Sequence, residues 1–530
     1  MKYINKIYLA SVFSLGVFHV AFAQQPADEA YFRNQIKILA SDEFGGRKPL
    51  TGYEDKTINY IADEFKKLGL KPANGDSYFQ DVPLINVTTK AKNNQITIKG
   101  AKSKVKLTSY KDFIVWSARN SKKVDLKNAQ FVFVGFGINA PEYGWDDYKG
   151  LDVKGKIVIA LLNDPGYYNP SLFRGHNMTY YGRWIYKFEE ASRQGAAGVL
   201  VIHDTKPASY GWNVVQASWA EHNLELLSDK KNLDQVSFKG WITKDAVTKL
   251  LAASGNSYDE LFEKAKEKGF KSVSLAANAN INLTNDLKVA NSHNVAAILP
   301  GTDLKDEYVI YTAHWDHFGV GKPINGDSIY NGASDNASGV AALLTIAKKY
   351  TEQVQRPRRS ILFLSVTAEE AVLLGSQYYV EHPLVPLDKT AADINFDGIA
   401  PRGRSYDLII GSKGDSETDD YVIRAASAQG RTVVTSKEQT SGSYFRSDHF
   451  SFAKVGIPVV LASGGFDYVD KEAAKKTSRH YHQPDDEYHD SWDMKGSLDD
   501  VYLNYAIGFS IADADKLPQW NANASYKRIK

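Results

Sequence analysis

The chain has 530 residues, with 64 Lys and Arg against 62 Asp and Glu, a formal net charge of +2 and no cysteine. The balanced charge excludes the concentrated basic face of a nucleic-acid binder. The absence of cysteine excludes disulfides, thiolate nucleophiles, Cys-ligated zinc and iron–sulfur clusters.

The first residues read as an export signal over 1–23. Lys2 and Lys6 start it, an apolar run follows from Ile7 to Ala21, and Ala21-Phe22-Ala23 offers a cleavage site before Gln24. The run is short and broken by Ser11, Ser14 and His19, so a membrane anchor fits less well. The expected mature protein is soluble, periplasmic or secreted, with no membrane anchor after signal removal. Tyr31–Leu39 and Lys56–Leu68 then carry apolar residues at helical spacing, and Gly69 stands where a helix stops.

Between Ala129 and Ala290 the chain changes character. Val132–Val134, Lys156–Leu162 and Gly198–His203 are short β-branched or apolar runs, with an aromatic stretch around Tyr180, Tyr181 and Trp184 between the last two. This predicts a smaller β-rich insertion over 128–286 with its own core. The insertion would divide an α/β domain into an N-terminal part, 24–127, and a larger part, 287–515. Residues 516–530 are polar and expected to fray.

From Asn294 strands and helices alternate. Tyr308–Ala313, Ser360–Thr367, Asp393–Phe396 and Pro458–Ser463 read as strands, and Gly339–Ala347 as a helix. That rhythm predicts an α/β fold with a mostly parallel sheet, in which ligands bind beyond the carboxyl ends of the strands.

Those ends carry ionisable residues. The first strand closes in His314-Trp315-Asp316-His317 and the second in Glu369-Glu370. The third closes in Asp397, and Asp335 leads into the helix. Arg479-His480-Tyr481-His482 adds further imidazoles. A single acid there is more often a helix cap, but several converging groups mark a site.

Nitrogen and oxygen donors suit zinc, with manganese or cobalt as alternatives. Two ions fit better than one. His314, Asp397, Glu370, His482 and a bridging Asp335 give each ion an imidazole, a terminal carboxylate and half the bridge, with room for a shared water or hydroxide. Glu370 facing a metal leaves its neighbour Glu369 facing the water, as a general base. Asp316, two residues from His314, is placed to orient that imidazole.

In these motifs the segment from about Asn294 to Pro484 resembles the M28 family of zinc aminopeptidases. The matching pieces are His314-Trp315-Asp316, Asn331 to Gly339, Glu369-Glu370, Asn395-Phe396-Asp397, Ser447-Asp448-His449 and Tyr481-His482-Gln483-Pro484. The opening Leu39 to Arg47 also looks like the family's, and Tyr148 to Lys156 with Gly195 to Gly198 looks like a protease-associated (PA) domain. The resemblance implies that His314 and Asp397 bind one zinc, Glu370 and His482 the other, that Asp335 bridges them, and that Glu369 is the general base. It also implies substrate contacts for Arg446 and Tyr481. After the third strand the family's motif normally continues Asp-Met-Ile-Gly, whereas here it is Asp397-Gly398-Ile399-Ala400.

The expected function is an exported di-zinc aminopeptidase that releases N-terminal residues from peptides, with the hydroxide between the zinc ions as nucleophile. The alternatives are a glutamate-carboxypeptidase-like or glutaminyl-cyclase-like relative, or a non-catalytic binding protein on the same fold. The insertion is expected to root at the edge of the α/β domain, overhang the metals and restrict access to short peptides.

Overall fold

The computed structural model describes residues 26–219, 223–399, 401–411, 414–435, 442–476, 481–522, 524 and 526–528. The expected export signal lies outside them. Two amphipathic helices come first, α1 (Pro26–Leu39) and α2 (Gly52–Lys67). Phe32, Ile36 and Leu39 on α1, and Ile58, Ile61 and Phe65 on α2, recur at three- and four-residue spacing. That spacing sends one stripe of each helix into the main core.

The next region builds a second core. Its strands are β1 (Phe79–Ala91), β2 (Phe113–Trp116), β3 (Lys123–Phe133), β4 (Ile157–Leu161), β5 (Gly198–His203) and β6 (Phe238–Thr243). β3, β4, β5 and β6 run parallel, with β2 antiparallel on the edge. β4 and β5 are buried along their whole length, as expected of parallel strands covered on both faces. Alternate residues feed opposite sides: Ile157, Ile159, Leu200 and Ile202 enter one cluster, and Val158, Ala160, Val199 and Val201 the other. The second cluster also holds Trp116, Trp241 and Trp184, the first residue of α3 (Trp184–Arg193). This core recruits Ile96, Ile98, Leu107, Phe113 and Val124, all upstream of residue 128.

The strand β7 (Val273–Leu299) is 27 residues long and belongs to both cores. Leu275, Ala277, Ala279, Ile281 and Leu283 alternate with exposed or half-buried neighbours against the second core. The stretch from Ser292 to Leu299 is almost wholly buried in the main one. β7 pairs antiparallel with β3, then with β1, then with β9 (Arg359–Val366). One continuous 15-stranded sheet results, rather than a separate module hung from an edge.

The main core is a parallel array. β8 (Leu304–His314) lies between β9 and β10 (Thr390–Phe396), and β11 (Val459–Val460) flanks β10. Helix α4 (Ser338–Glu352), rich in Ala and Leu, packs beneath β8, and α5 (Lys495–Asp513) covers β8 to β10. This is the mostly parallel α/β sheet anticipated above. The described tail is not frayed: the Trp520 indole N–H donates to the Gly456 carbonyl at 2.9 Å and Arg528 Nη1 to that of Ala391 at 3.3 Å. Among the described residues no helix is long and apolar enough to cross a membrane.

Candidate metal centre

Four of the expected ligands stand at carboxyl ends of the parallel array or on the turn into α4. His314 is the last residue of β8, Glu370 follows β9, Asp397 follows β10, and Asp335 lies just before α4. His482 arrives from a later loop. His314 Nε2 is 3.3 Å from Asp335 Oδ1 and 3.5 Å from Asp397 Oδ1. On the other side of Asp335, His482 Nε2 is 3.4 Å from Oδ2 and 3.2 Å from Glu370 Oε2. The structure thus brings all five proposed ligands together, with Asp335 facing one imidazole through each oxygen.

These contacts are close without being aligned as hydrogen bonds. His314 Nε2, Asp335 Oδ1 and His482 Nε2 are buried and have no hydrogen-bond partner. Orphaned polar atoms are costly in an interior, and donors that converge without bonding one another are arranged around a cation. One ligand atom from each of His314, Asp335 and Asp397 lies within 4.8 Å of the others, and the same holds for His317, Asp335 and Glu370. The residues therefore fit a metal of the nitrogen- and oxygen-binding kind.

His317 is the member sequence reasoning passed over. Its Nδ1 lies 2.6 Å from Glu370 Oε1, while its buried Nε2 has no partner. The available signal was its position three residues after His314.

Glu369 is not among the clustered ligand atoms. Its Oε2 stands 3.9 Å from His314 Nε2, beside the donors. Burial raises its carboxyl well above the ordinary value; His314 opposes the rise, and Asp397, Glu370 and Asp448 add to it. Burial alone would lower the His314 imidazole, but Glu369, Asp335 and Asp397 outweigh it and raise it well above its usual range.

Asp316 has a task beyond the one anticipated. Its carboxylate accepts the backbone N–H of Glu369 at 3.0 Å and of Glu370 at 3.4 Å, fixing the Glu-Glu turn. Asp316 also meets the His314 imidazole, with its carbonyl 3.1 Å from Nδ1 and its carboxylate at 3.7 Å.

Around these groups lies a shell of backbone anchors. Ser334 N–H and Asp335 N–H both donate to the Asp486 carboxylate at 3.1 Å. Asn336 Nδ2 donates to the Phe396 carbonyl at 2.9 Å, and Asn336 Oδ1 accepts from Gly398 N–H at 3.0 Å, tying the Asp335 turn to the Asp397 strand end. Gly332 has a φ of +58°, and a Cβ there would lie 2.2 Å from the Asp335 carbonyl oxygen and 2.6 Å from the His317 ring, so only glycine fits. Arg47, fully buried, donates to the carbonyls of Trp315, Asn331, Gly332 and Leu39.

Arg446 is exposed, with Nη2 3.5 Å from Ser209 Oγ. Tyr481 is 54% exposed and its ring stacks on His482 at 3.6 Å between centroids. Asp448 and His449 are completely buried behind the centre.

Fold and donors together define the class: an α/β domain with a histidine–carboxylate metal centre at the carboxyl ends of its parallel strands. Residues 294–506 match Peptidase family M28. The chain is 36% identical over 304 residues to aminopeptidase NAALADL1 of Rattus norvegicus, covering 48% of this chain and 37% of that one. It is 32% identical over 218 residues to leupeptin-inactivating enzyme 1 of Streptomyces exfoliatus, covering 41% and 46%. The chain thus spans less than half the length of these relatives. In fold it is similar to an aminopeptidase from Aneurinibacillus sp. strain AM-1, with a TM-score of 0.50 at 21% identity, over 92% of this chain and 95% of that one.

Proposed function

We propose that this chain is an exported di-zinc aminopeptidase that removes N-terminal residues from peptides. One observation carries the reading. Asp335 presents its two oxygens to two separate imidazoles, each of which has its own second carboxylate, Asp397 or Glu370. Two cations held ~3.5–4 Å apart repel strongly, and a shared anion between them offsets that repulsion. His314, Asp397 and Asp335 would hold one zinc, and His482, Glu370 and Asp335 the other. Bound there, zinc supplies Lewis acidity toward the substrate carbonyl and makes water a nucleophile at neutral pH.

The chain's own residues do the rest. Glu369, whose Oε2 stands 3.9 Å from His314 Nε2, takes the proton of the attacking water and returns it to the departing amine. Asp316 keeps Glu369 and Glu370 in register by holding both backbone N–H groups. The inserted sheet, read as a PA-like unit, stands beside the centre and limits the length of chain that enters. Export rests on the sequence of residues 1–23.

The test is metal analysis of the purified protein together with leucine p-nitroanilide hydrolysis. Two zinc ions per chain and chelator-sensitive release of p-nitroaniline are expected. One zinc with cyclisation of N-terminal glutamine, release of C-terminal glutamate, or no turnover would each overturn the reading.

A further inference from the structure

β7 carries asparagine at three alternate positions, Asn278, Asn280 and Asn282, on its open face, while Ala277, Ala279, Ile281 and Leu283 fill the second core behind them. Asparagine is disfavoured within strands, because its amide competes for backbone groups, so the ladder calls for a reason outside the fold. The amides of Asn278 and Asn282 make no hydrogen bond to the described residues. Asn280 Oδ1 accepts the backbone N–H of Asn128 at 2.8 Å.

Strand register extends the ladder sideways. Asn278 lies opposite Gln130 on β3 and, on its other side, opposite Lys99 on the strand Gln95–Gly100. Beyond that, Lys99 lies opposite Lys104 and Thr97 opposite Lys106, on the strand Lys104–Thr108. One side of the face is therefore amide and the other cationic. Lys92, Lys99, Lys104 and Lys106 are all exposed, and none is paired with a carboxylate among the described residues. Asp125 stands opposite Asn282, but on β3, away from the lysines. A cavity of about 240 Å³ opens on this face, lined by the three asparagines, Gln95, Thr97, Lys92 and Lys99 among others, with no acidic or aromatic residue in its wall. That is about eight times the ~30 Å³ share of one water in the liquid, far more than a single ion fills.

These features select the ligand. A peptide that adds itself as a strand needs a sheet edge, and this is a face whose backbone groups are already used in pairing. Single-stranded nucleic acid stacks its bases on aromatic rings, and the wall offers none. A side-chain amide presents an acceptor and two donors on adjacent atoms, which matches neighbouring hydroxyls of a sugar ring. The unpaired lysines supply point charges for an anion. We propose that this face binds a polysaccharide bearing carboxylate groups, with its hydroxyls on the asparagine ladder and its carboxylates toward Lys92 and Lys99. No residue of the candidate metal centre lines the cavity, so the site serves attachment rather than cleavage. It stands whether or not the aminopeptidase reading does.

Calorimetric titration of the full chain at low salt tests this. The probes are galacturonate oligomers and mannuronate oligomers, with maltooligosaccharide as the neutral sugar and polyglutamate of similar length as the anion without hydroxyls. A carboxylated sugar should bind at least about 10-fold more tightly than either control. Asn282→Ala should weaken that binding about 2- to 10-fold, and Lys99→Gln should do the same while lowering its salt dependence. Both side chains are exposed, so the fold should be unaffected. Equal binding of polyglutamate would reduce the face to a patch of charge, and equal binding of maltooligosaccharide would remove the lysines from recognition; either overturns the proposal. So does the absence of binding by both carboxylated sugars in the wild type, whether or not the variants fold. Binding that neither substitution weakens lies elsewhere on the chain and overturns it too.

Discussion

Arg47 Nε donates to the carbonyl of Trp315 at 2.8 Å, across 268 positions of sequence. Trp315 follows the proposed ligand His314, and the same guanidinium also holds the carbonyls of Asn331 and Gly332, at 2.6 and 2.9 Å, ahead of the proposed ligand Asp335. One side chain thus spaces two segments of the candidate metal centre. Burial pulls Arg47 down to about 10, while Asp486, Asp335, Asp316 and Glu370 hold it up, so it stays charged at neutral pH. Arg47→Met would strand these carbonyls without a donor. We expect a loss of about 3–5 kcal/mol in urea-unfolding free energy, accompanied by weaker metal binding; a loss under about 1 kcal/mol would contradict the spacing role.

Glu369→Gln should keep the metal content and lower kcat by about 10²- to 10⁴-fold, because it removes the proton acceptor without touching a ligand. Metal analysis and turnover of the same sample decide the matter. Near-normal kcat would remove Glu369 from the mechanism.

Asp335→Ala should lose bound metal as well as activity, since both imidazoles lose the carboxylate they share. Two tightly held zinc ions in this variant would refute the bridging assignment.

Asp486 touches no proposed ligand side chain but holds the backbone of Ser334 and Asp335. Asp486→Ala should weaken metal affinity by about 10- to 100-fold, read by competition with a chelator. The effect should reach the bridging position, so both ions should weaken together; an unchanged affinity would make Asp486 a mere structural contact.

His293 gives a pH signature away from the metals. Its Nδ1 lies 3.1 Å from Glu54 Oε1 and its Nε2 3.3 Å from Asp81 Oδ1. The Glu54 hydrogen bond raises the imidazole above its ordinary 6.5, against the opposing effect of burial. A raised histidine stabilises fully below the unfolded value and loses that contribution as pH rises through the folded value. The stability gap between wild type and His293→Gln should therefore be larger at pH 6 than at pH 9. A constant gap would show that the pair does not titrate with folding.

The clustering of the proposed ligands was legible because their residue types fall at the ends of apolar strands, where a parallel sheet exposes them. Asp397 and His314 could be placed from the runs Asp393–Phe396 and Tyr308–Ala313 alone. Arg47 and Asp486 could not, since each acts on backbone carbonyls or amides far away in sequence and neither sits in a local pattern that announces this. Asp316 was found, but its carboxylate turned out to serve the Glu369-Glu370 amides, a contact set by how two strand ends approach. The alternation of Leu275, Ala277, Ala279, Ile281 and Leu283 has a clear period of two, yet alanine carries little hydrophobic weight. The strand that joins the two cores was therefore not separated from the insertion around it.

That strand also sets a timetable for synthesis. β1 is made early, but β7, its partner from Phe79 opposite Val295 to Ala91 opposite Leu283, emerges only after the whole second core. Until then β1 can pair, among the described strands, only with the four residues Asn223–Leu226. An unpaired apolar strand is a template for aggregation, and closing so long a loop is slow. Nascent chains halted before residue 273 should therefore leave β1 open to proteolysis, and chains extended past residue 299 should protect it.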